Sequence, residues 1–105
     1  MPKRHRRVVW APKARQDLRD VWRYYERVAS AEVADKLLRE ISEAARRLGT
    51  DALIWRRRDE VMPGLRSTPV QPYTVFFRVK DGTVEIARVL HERRDFAAAF
   101  SREKR

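Results

Sequence analysis

Residues 73–95, YTVFFRVKDGTVEIARVLHERRD, decide the fold of this chain. Two runs rich in β-branched and aromatic residues flank Asp81-Gly82, a pair that favours a tight hairpin turn because both of its residues tolerate positive φ. The alternating runs predict two antiparallel strands. A two-residue turn also fixes their register, which starts with Val79 opposite Val84.

This register gives the hairpin two faces and places Tyr73 opposite Leu90. The apolar face, expected to be core, carries Tyr73, Val75, Phe77, Val79, Val84, Ile86 and Leu90. The mixed face carries Thr74, Phe76, Arg78, Glu85, Ala87 and Val89. Because half of the mixed face is apolar, we expect something to cover it.

Arg88 falls on the apolar face of the hairpin, where a charge without a partner would be too costly to bury. We therefore predict a structural ion pair between Arg88 and a carboxylate. The candidates are Asp17, Asp20 and Asp95.

The composition excludes several kinds of site and protein. The 105 residues predict a single domain, 1–105, and the absence of cysteine excludes disulfides and thiolate metal sites. The two histidines, His5 and His91, lie far apart, which argues against a histidine metal site. We predict no metal and no cofactor. No apolar run reaches the roughly 20 residues of a membrane span, which predicts a soluble protein without a signal peptide. The net charge of +10 favours an acidic partner, nucleic acid or the ribosome.

The first half of the chain predicts a strand and two helices. Residues 6–10 form a short strand, and Pro12 suits the first turn of a helix. Ser30 is placed to cap a second helix, and Gly49 is expected to end it. The first helix has an apolar stripe of Leu18, Val21, Trp22, Tyr25 and Val28. The second has a stripe of Ala34, Leu37, Leu38, Ile41, Ala45 and Leu48.

The second half predicts strands and one short helix. Residues 56–60 are interpreted as a solvated charge run, and residues 65–68 as a strand interrupted near Pro69 and Pro72. A short helix follows Asp95, and the tail, residues 101–105, is expected to fray. The predicted fold is α+β: an N-terminal strand, an antiparallel helical hairpin, a three-stranded antiparallel segment completing one small sheet, and a short C-terminal helix.

Five segments, in this order, resemble the RelE/ParE superfamily of toxins from bacterial type II toxin–antitoxin pairs. They are Asp17-Leu18, residues 21–25 (VWRYY), residues 63–66 (PGLR), residues 73–78 (YTVFFR) and residues 88–95 (RVLHERRD). The last segment is similar to the signature of the ParE branch. The resemblance runs from about residue 8 to residue 100.

The superfamily holds two activities, and the resemblance implies a choice between them. RelE-like members cut mRNA in the ribosome, whereas ParE-like members inhibit DNA gyrase. RNA cleavage needs a proton acceptor, cations and a donor for the leaving oxygen. Alignment on Tyr73 puts the RelE catalytic positions on Leu65, Ser67, Thr74 and Phe96 or Phe100, and none of these side chains can do that work. We therefore expect no catalytic residue and no enzymatic activity.

The ParE resemblance implies a cytoplasmic toxin of the plasmid-stabilisation type, with gyrase, through its A subunit, as the target. An acidic ParD-like antitoxin would neutralise it, and this chain alone would not bind DNA specifically. The expected target-binding residues are Arg93, Arg94, Phe96 and Phe100. The expected antitoxin-binding residues are Trp22, Tyr25, Phe76, Arg78 and Val89.

The residues leave two alternative functions open. The first is a ribosome-dependent mRNA endoribonuclease of the RelE type, with Arg66, Arg78, His91 and Arg93 as its catalytic candidates. The second is a basic nucleic-acid-binding module without toxicity, which would show tight binding with a steep dependence on salt.

Overall fold

The elements follow the predicted order through residues 5–101, the part of the chain that the computed structural model describes. They are β1 (Arg7–Trp10), α1 (Pro12–Val28), α2 (Ala31–Asp51), β2 (Arg66–Val70), β3 (Tyr73–Lys80), β4 (Thr83–His91) and α3 (Phe96–Ser101). A 3₁₀ turn, Ala52–Ile54, follows α2 directly. The α+β prediction is confirmed. Ser101 ends α3, and the rest of the tail predicted to fray lies outside the described residues.

The strands form one mixed sheet in the order β1-β4-β3-β2. β1 runs parallel to β4, and β3 is antiparallel to both of its neighbours. The β3–β4 turn has φ of 53° at Asp81 and 75° at Gly82, as the hairpin prediction requires. β2 continues through Pro69, where an interruption was expected, because an edge strand tolerates a residue without an N–H.

A β-bulge in β4 changes the hairpin halfway along its length. Phe77 lies opposite Ile86, as predicted, but the register shifts between Phe76 and Phe77. Phe76 pairs with Arg88, which leaves Ala87 as the extra residue of the bulge. The predicted register is therefore wrong beyond this point.

The bulge reassigns residues at the open end of the hairpin. Tyr73 lies opposite His91 instead of Leu90. Val89, predicted for the mixed face, packs in the helix-facing core, and Leu90, predicted for the core, packs on the other side of the sheet. An alternating pattern cannot reveal one inserted residue, although Val89 and Leu90 beyond the insertion change face.

The main core lies between the helical hairpin and one face of the sheet. Its buried members include Val21, Leu37, Ile41, Leu48, Val75, Phe77, Val84, Ile86 and Val89. Ser30 caps α2 as predicted, because its hydroxyl accepts a 3.1 Å hydrogen bond from the amide of Val33. The predicted stripe of α1 is wrong at Val28, which is 54% exposed at the end of the helix.

The opposite face of the sheet is covered by the chain itself. Phe76, Ala87 and Leu90 project from the strands into a second buried cluster. Leu65 closes this cluster from one side, and the α3 residue Phe100 packs into it. The mixed face of the hairpin is thus covered, as expected, and α3 supplies much of the cover.

Gly49 does not end α2, which continues through it to Asp51. A Cβ at this position would lie 2.9 Å from the carbonyl oxygen of Arg6. The Arg6 amide also donates a 2.6 Å hydrogen bond to the Gly49 carbonyl oxygen. The glycine therefore allows the start of β1 to approach α2 closely, and the predicted role as a helix stop is wrong.

Candidate functional site

The segment between β4 and α3 carries the exposed basic residues predicted to contact the target. Arg93 and Arg94 are both exposed. The Arg93 amide donates to Nδ1 of His91 at 3.2 Å, and the Arg94 amide donates to the His91 carbonyl oxygen at 2.9 Å. A carboxylate oxygen of Asp95 accepts from the amide of Ala98 at 3.0 Å. The segment's backbone is held at both ends, while the two guanidinium groups face solvent.

Phe96 and Phe100, also predicted to contact the target, anchor α3 to the sheet instead. Their ring centroids lie 4.7 Å and 5.3 Å from that of Phe76. Phe100 is 1% exposed, so it cannot reach a target while α3 stays in place. Phe96 is half-buried, so only its edge is available.

Arg58 organises this region, although the sequence suggested only a solvated charge run. Its guanidinium carbon lies 5.5 Å from the Phe76 ring centroid and 5.4 Å from that of Phe96. Arg58 Nη1 donates to Ser67 Oγ at 3.1 Å, and Arg58 Nε lies 2.7 Å from a carboxylate oxygen of Glu60. No local pattern distinguishes Arg58 from Arg56 and Arg57, so sequence reasoning had no signal for it.

Asp17 is the carboxylate that pairs with Arg88. Its oxygens accept from Arg88 Nε at 2.8 Å and Nη2 at 3.0 Å, and one of them also accepts from the Val89 amide at 2.9 Å. Both side chains are buried. This ion pair joins α1 to β4, so the predicted structural role of Arg88 agrees with the geometry.

The four ribonuclease candidates do not converge. His91 lies opposite Tyr73 at one end of β3, whereas Arg66 lies opposite Phe77 and Arg78 follows it. At about 3.3 Å per residue, four or five strand residues separate His91 from these arginines by roughly 13–17 Å.

Two of the four candidates are also engaged within the chain. Arg66 donates to the Trp55 carbonyl oxygen at 2.8 Å, and Arg78 Nε lies 2.8 Å from a carboxylate oxygen of Glu85. Arg93 is the remaining cation, and it belongs to the exposed segment beside His91.

A small cleft of about 160 Å³ opens beside His91. Tyr73 and Arg94 line it, but so do the carboxylates of Asp17 and Asp20. Burial, reinforced by the neighbouring Tyr25, raises the pKa of Tyr73, so the phenol stays protonated and is a poor proton acceptor at neutral pH. The Asp17 carboxylate is already paired with Arg88, so Asp20 is the lining carboxylate that opposes a phosphate group beside Arg94.

The residues predicted to bind an antitoxin lie on opposite sides of the sheet. Trp22 and Tyr25 are half-buried on α1, and Trp22 Nε1 donates to an Asp35 oxygen at 2.8 Å. Phe76 is fully buried on the other side, and Val89 is 2% exposed. Phe76 and Val89 must therefore be removed from the predicted surface, while Arg78 is exposed as that prediction requires.

Between residues 5 and 101, no group of three or more metal-ligating side chains comes together. None of the helices in the same range combines the length and the hydropathy that crossing a membrane requires.

The fold is shared with chains solved from bacterial toxin–antitoxin systems. A chain of the chromosomal ParDE system of Pseudomonas aeruginosa superposes with a TM-score of 0.75 at 27% identity, covering 84% of this chain and 97% of that one. A chain of the RelBE2 toxin–antitoxin complex of Mycobacterium tuberculosis shares the fold with a TM-score of 0.56 at 23% identity, over 83% and 91% of the two chains.

Sequence similarity shows to which branch of the RelE/ParE superfamily the chain belongs. Residues 8–96 match the model of the ParE toxin of the type II toxin–antitoxin system, parDE. Toxin ParE1 of Mycobacterium tuberculosis is 33% identical over 85% of this chain and 92% of its own length. Toxin ParE3 of Caulobacter vibrioides is 30% identical over 92% and 97%. This chain belongs to the ParE toxin family of type II toxin–antitoxin systems, as the resemblance predicted.

Proposed function

We propose that this ParE toxin acts by binding rather than by catalysis, that it inhibits DNA gyrase through the A subunit, and that a ParD-like antitoxin neutralises it. Family membership supports the toxin role. Gyrase as the target rests on the resemblance to the ParE branch. A toxin with this target must work in the cytoplasm, which agrees with the location expected from the sequence.

The non-catalytic proposal rests on one observation, the distance along β3 between His91 and the arginines Arg66 and Arg78. Cleavage of RNA requires a proton acceptor and cations around a single phosphate. His91 lies roughly 13–17 Å from Arg66 and Arg78 when measured along β3, and the Asp20 carboxylate lines the cleft beside His91. This arrangement favours a protein that acts by binding its target over one that cleaves RNA.

The exposed pair Arg93 and Arg94 is the proposed target contact. Both guanidinium groups face solvent on a backbone held by His91 and Asp95. A backbone that is already held in place loses less conformational freedom on binding, although the two side chains still have to be ordered. Phe96 and Phe100 contribute indirectly, because they anchor the helix that follows this pair.

An acidic antitoxin suits the charge of the chain. The net charge is +10, and complementary charge both steers association and stabilises the complex. The solved Pseudomonas relative comes from a ParDE system, which supports a ParD-like partner here.

The test compares two targets in parallel. The purified chain is added to gyrase supercoiling and DNA-cleavage assays, and to translating ribosomes with mapping of mRNA 5′ ends. We expect gyrase inhibition with intact mRNA. The Arg93→Glu/Arg94→Glu variant should inhibit at least tenfold less, whereas Arg7→Glu/Arg15→Glu, an exposed pair with the same change of charge, should inhibit like the parent chain. Cuts in mRNA with unaffected gyrase would overturn the proposal in favour of the endoribonuclease.

A further inference from the structure

The exposed face of α1 carries an excess of positive charge that the neighbouring helix does not share. On α1, five exposed lysines and arginines stand against two exposed carboxylates, Asp20 and Glu26. On α2, four exposed lysines and arginines stand against four exposed carboxylates. Both helices face solvent, so solubility alone does not explain the excess on α1.

The arginines of α1 follow each other at intervals of four residues: Arg15, Arg19, Arg23 and Arg27. Because four residues turn a helix by about 400°, each step moves about 40° around the helix axis. Arg19, Arg23 and Arg27 therefore lie within an arc of about 80° and extend for about 12 Å along the helix. We call these three residues the arginine row. Arg15 lies outside this arc, on the side where Trp22 contacts α2.

The arginine row is not neutralised by carboxylates. In the part of the chain that the structure describes, none of its three guanidinium groups forms an ion pair. Arg19 donates to Oε1 of the neutral Gln16, through Nε at 3.3 Å and Nη2 at 3.0 Å. On α2, in contrast, Glu43 is paired with Arg46. Like charges four residues apart oppose helix formation, so folding gives no reason for the row.

The surroundings of the arginine row favour a phosphate backbone over a protein as its partner. Protein interfaces are built around an apolar centre that often holds aromatic anchors. Between residues 19 and 27, no apolar side chain falls in the arc of the row. Guanidinium groups bind phosphate oxygens through paired N–H donors, which an ammonium group cannot do. The row therefore fits an anion that repeats along a line, as the phosphates of a nucleic acid do.

Tyr24 bears on whether the nucleic acid is single-stranded or double-stranded. Proteins hold single strands with aromatic rings that stack on unpaired bases. Tyr24 is 48% exposed, but the guanidinium carbon of Arg27 lies 5.9 Å from its ring centroid, and the Tyr25 ring meets it edge-on with the centroids 5.1 Å apart. The other two aromatic rings of α1 are half-buried. The helix thus lacks a row of open rings, which favours a duplex.

We infer that the arginine row binds the phosphate backbone of double-stranded DNA without sequence preference. This activity goes beyond the proposed function, and it agrees with the expectation that the chain alone does not bind DNA specifically. The choice of DNA over RNA rests on the proposed function, because gyrase works on duplex DNA. A duplex segment as long as the row carries about seven phosphates, so each arginine has a partner within reach.

The experiment measures binding of the purified chain to a fluorescent DNA duplex of about 20 base pairs by anisotropy, from about 50 to about 200 mM salt. Each neutralised phosphate contributes about −0.9 to the slope of log K against log salt concentration. Arg19→Gln/Arg23→Gln should therefore make the slope shallower by about 1.8 and raise Kd at least fivefold. The control Arg39→Gln/Arg46→Gln removes the same charge from α2 and should leave the slope within about 0.5 of that of the parent chain.

The four altered arginines are exposed, and glutamine is a good helix former, so thermal unfolding should show that both variants fold like the parent chain. Equal losses in the two double variants would mean that net charge alone attracts DNA, and the row would then have no role. Loss of binding in Arg93→Gln/Arg94→Gln with a normal row variant would move the contact to the segment after β4.

Three competing ligands test the assignment of the partner. Tighter binding to a single strand of the same sequence or to an RNA duplex of the same length would overturn the choice of duplex DNA. Tighter binding to polyglutamate at the same salt concentration would overturn it in favour of an acidic protein. No measurement in this experiment contains gyrase. A chain that fails to inhibit gyrase but loses DNA binding with the row would therefore refute the proposed function and leave the row in place.

Discussion

Replacing Asp17 with alanine tests the buried ion pair that joins α1 to β4. The carboxylate accepts hydrogen bonds of 2.8 Å and 3.0 Å from Arg88 and one of 2.9 Å from the Val89 amide. Asp17 and Arg88 are each 8% exposed, so water screens their interaction little. The substitution removes the carboxylate that connects α1 to the central strand β4.

The expected loss of stability in Asp17→Ala follows from the burial of the ion pair. Hydrogen bonds to charged groups contribute about 1.5–3 kcal/mol each, but those sharing one carboxylate do not add independently. Removal of one partner from a buried ion pair costs about 3–5 kcal/mol, and we expect Asp17→Ala to fall in that range. The loss is a large share of the about 5–15 kcal/mol that stabilises a domain of ordinary size.

Urea unfolding followed by circular dichroism measures the loss as a lower midpoint with an unchanged slope. Glu85→Ala is the control, because the Arg78–Glu85 pair is half-exposed and such pairs contribute about 0–1 kcal/mol. Asp17→Leu/Arg88→Met should recover only part of the stability, because an apolar pair can replace the buried ion pair but leaves the Val89 amide without its acceptor. A loss below about 1 kcal/mol for Asp17→Ala, equal to the control, would refute the reasoning.

Three further changes have expected outcomes. Gly49→Ala should destabilise by about 1–3 kcal/mol in urea unfolding, because its Cβ would meet the Arg6 carbonyl oxygen; a gain in stability, as helix propensity alone predicts, would contradict this. Burial raises the pKa of Tyr73, so the stability linked to it is complete below the ordinary pKa of 10.0 and is lost as pH rises above that value. Tyr73→Phe should reduce this alkaline loss, and an unchanged pH profile would count against it. Phe100→Ala empties a buried position, so amide hydrogen exchange should accelerate in α3 more than in β1; equal acceleration would mean that α3 is not a separate cover.

The sequence predicted the elements because their signals are local. Asp81-Gly82 marks its turn through positive φ, Ser30 marks a helix start through its hydroxyl, and Pro12 suits a first helical turn. The need of Arg88 for a carboxylate was also foreseeable, because an isolated buried charge is too costly. The sequence could then propose Asp17 as the partner, though it could not choose it over Asp20 or Asp95.

The errors come from contacts between distant segments. The bulge at Ala87 and the close approach of Gly49 to Arg6 depend on packing that no local pattern encodes. The cover over Phe76 was expected, but a short alanine-rich segment gave no sign that α3 would supply it. Arg58 was assigned to solvent because its stacking partners lie on β3 and α3.

The parallel pairing of β1 with β4 has a consequence for how the chain is made. Arg7 pairs with Thr83, so β1 has no neighbouring strand until β4 has been synthesised. Pairing across such a long separation is entropically costly and slow to form. A ribosome that stops before Thr83 releases a polypeptide whose sheet lacks its central strand, so truncated translation products should be targets for proteolysis rather than active toxin.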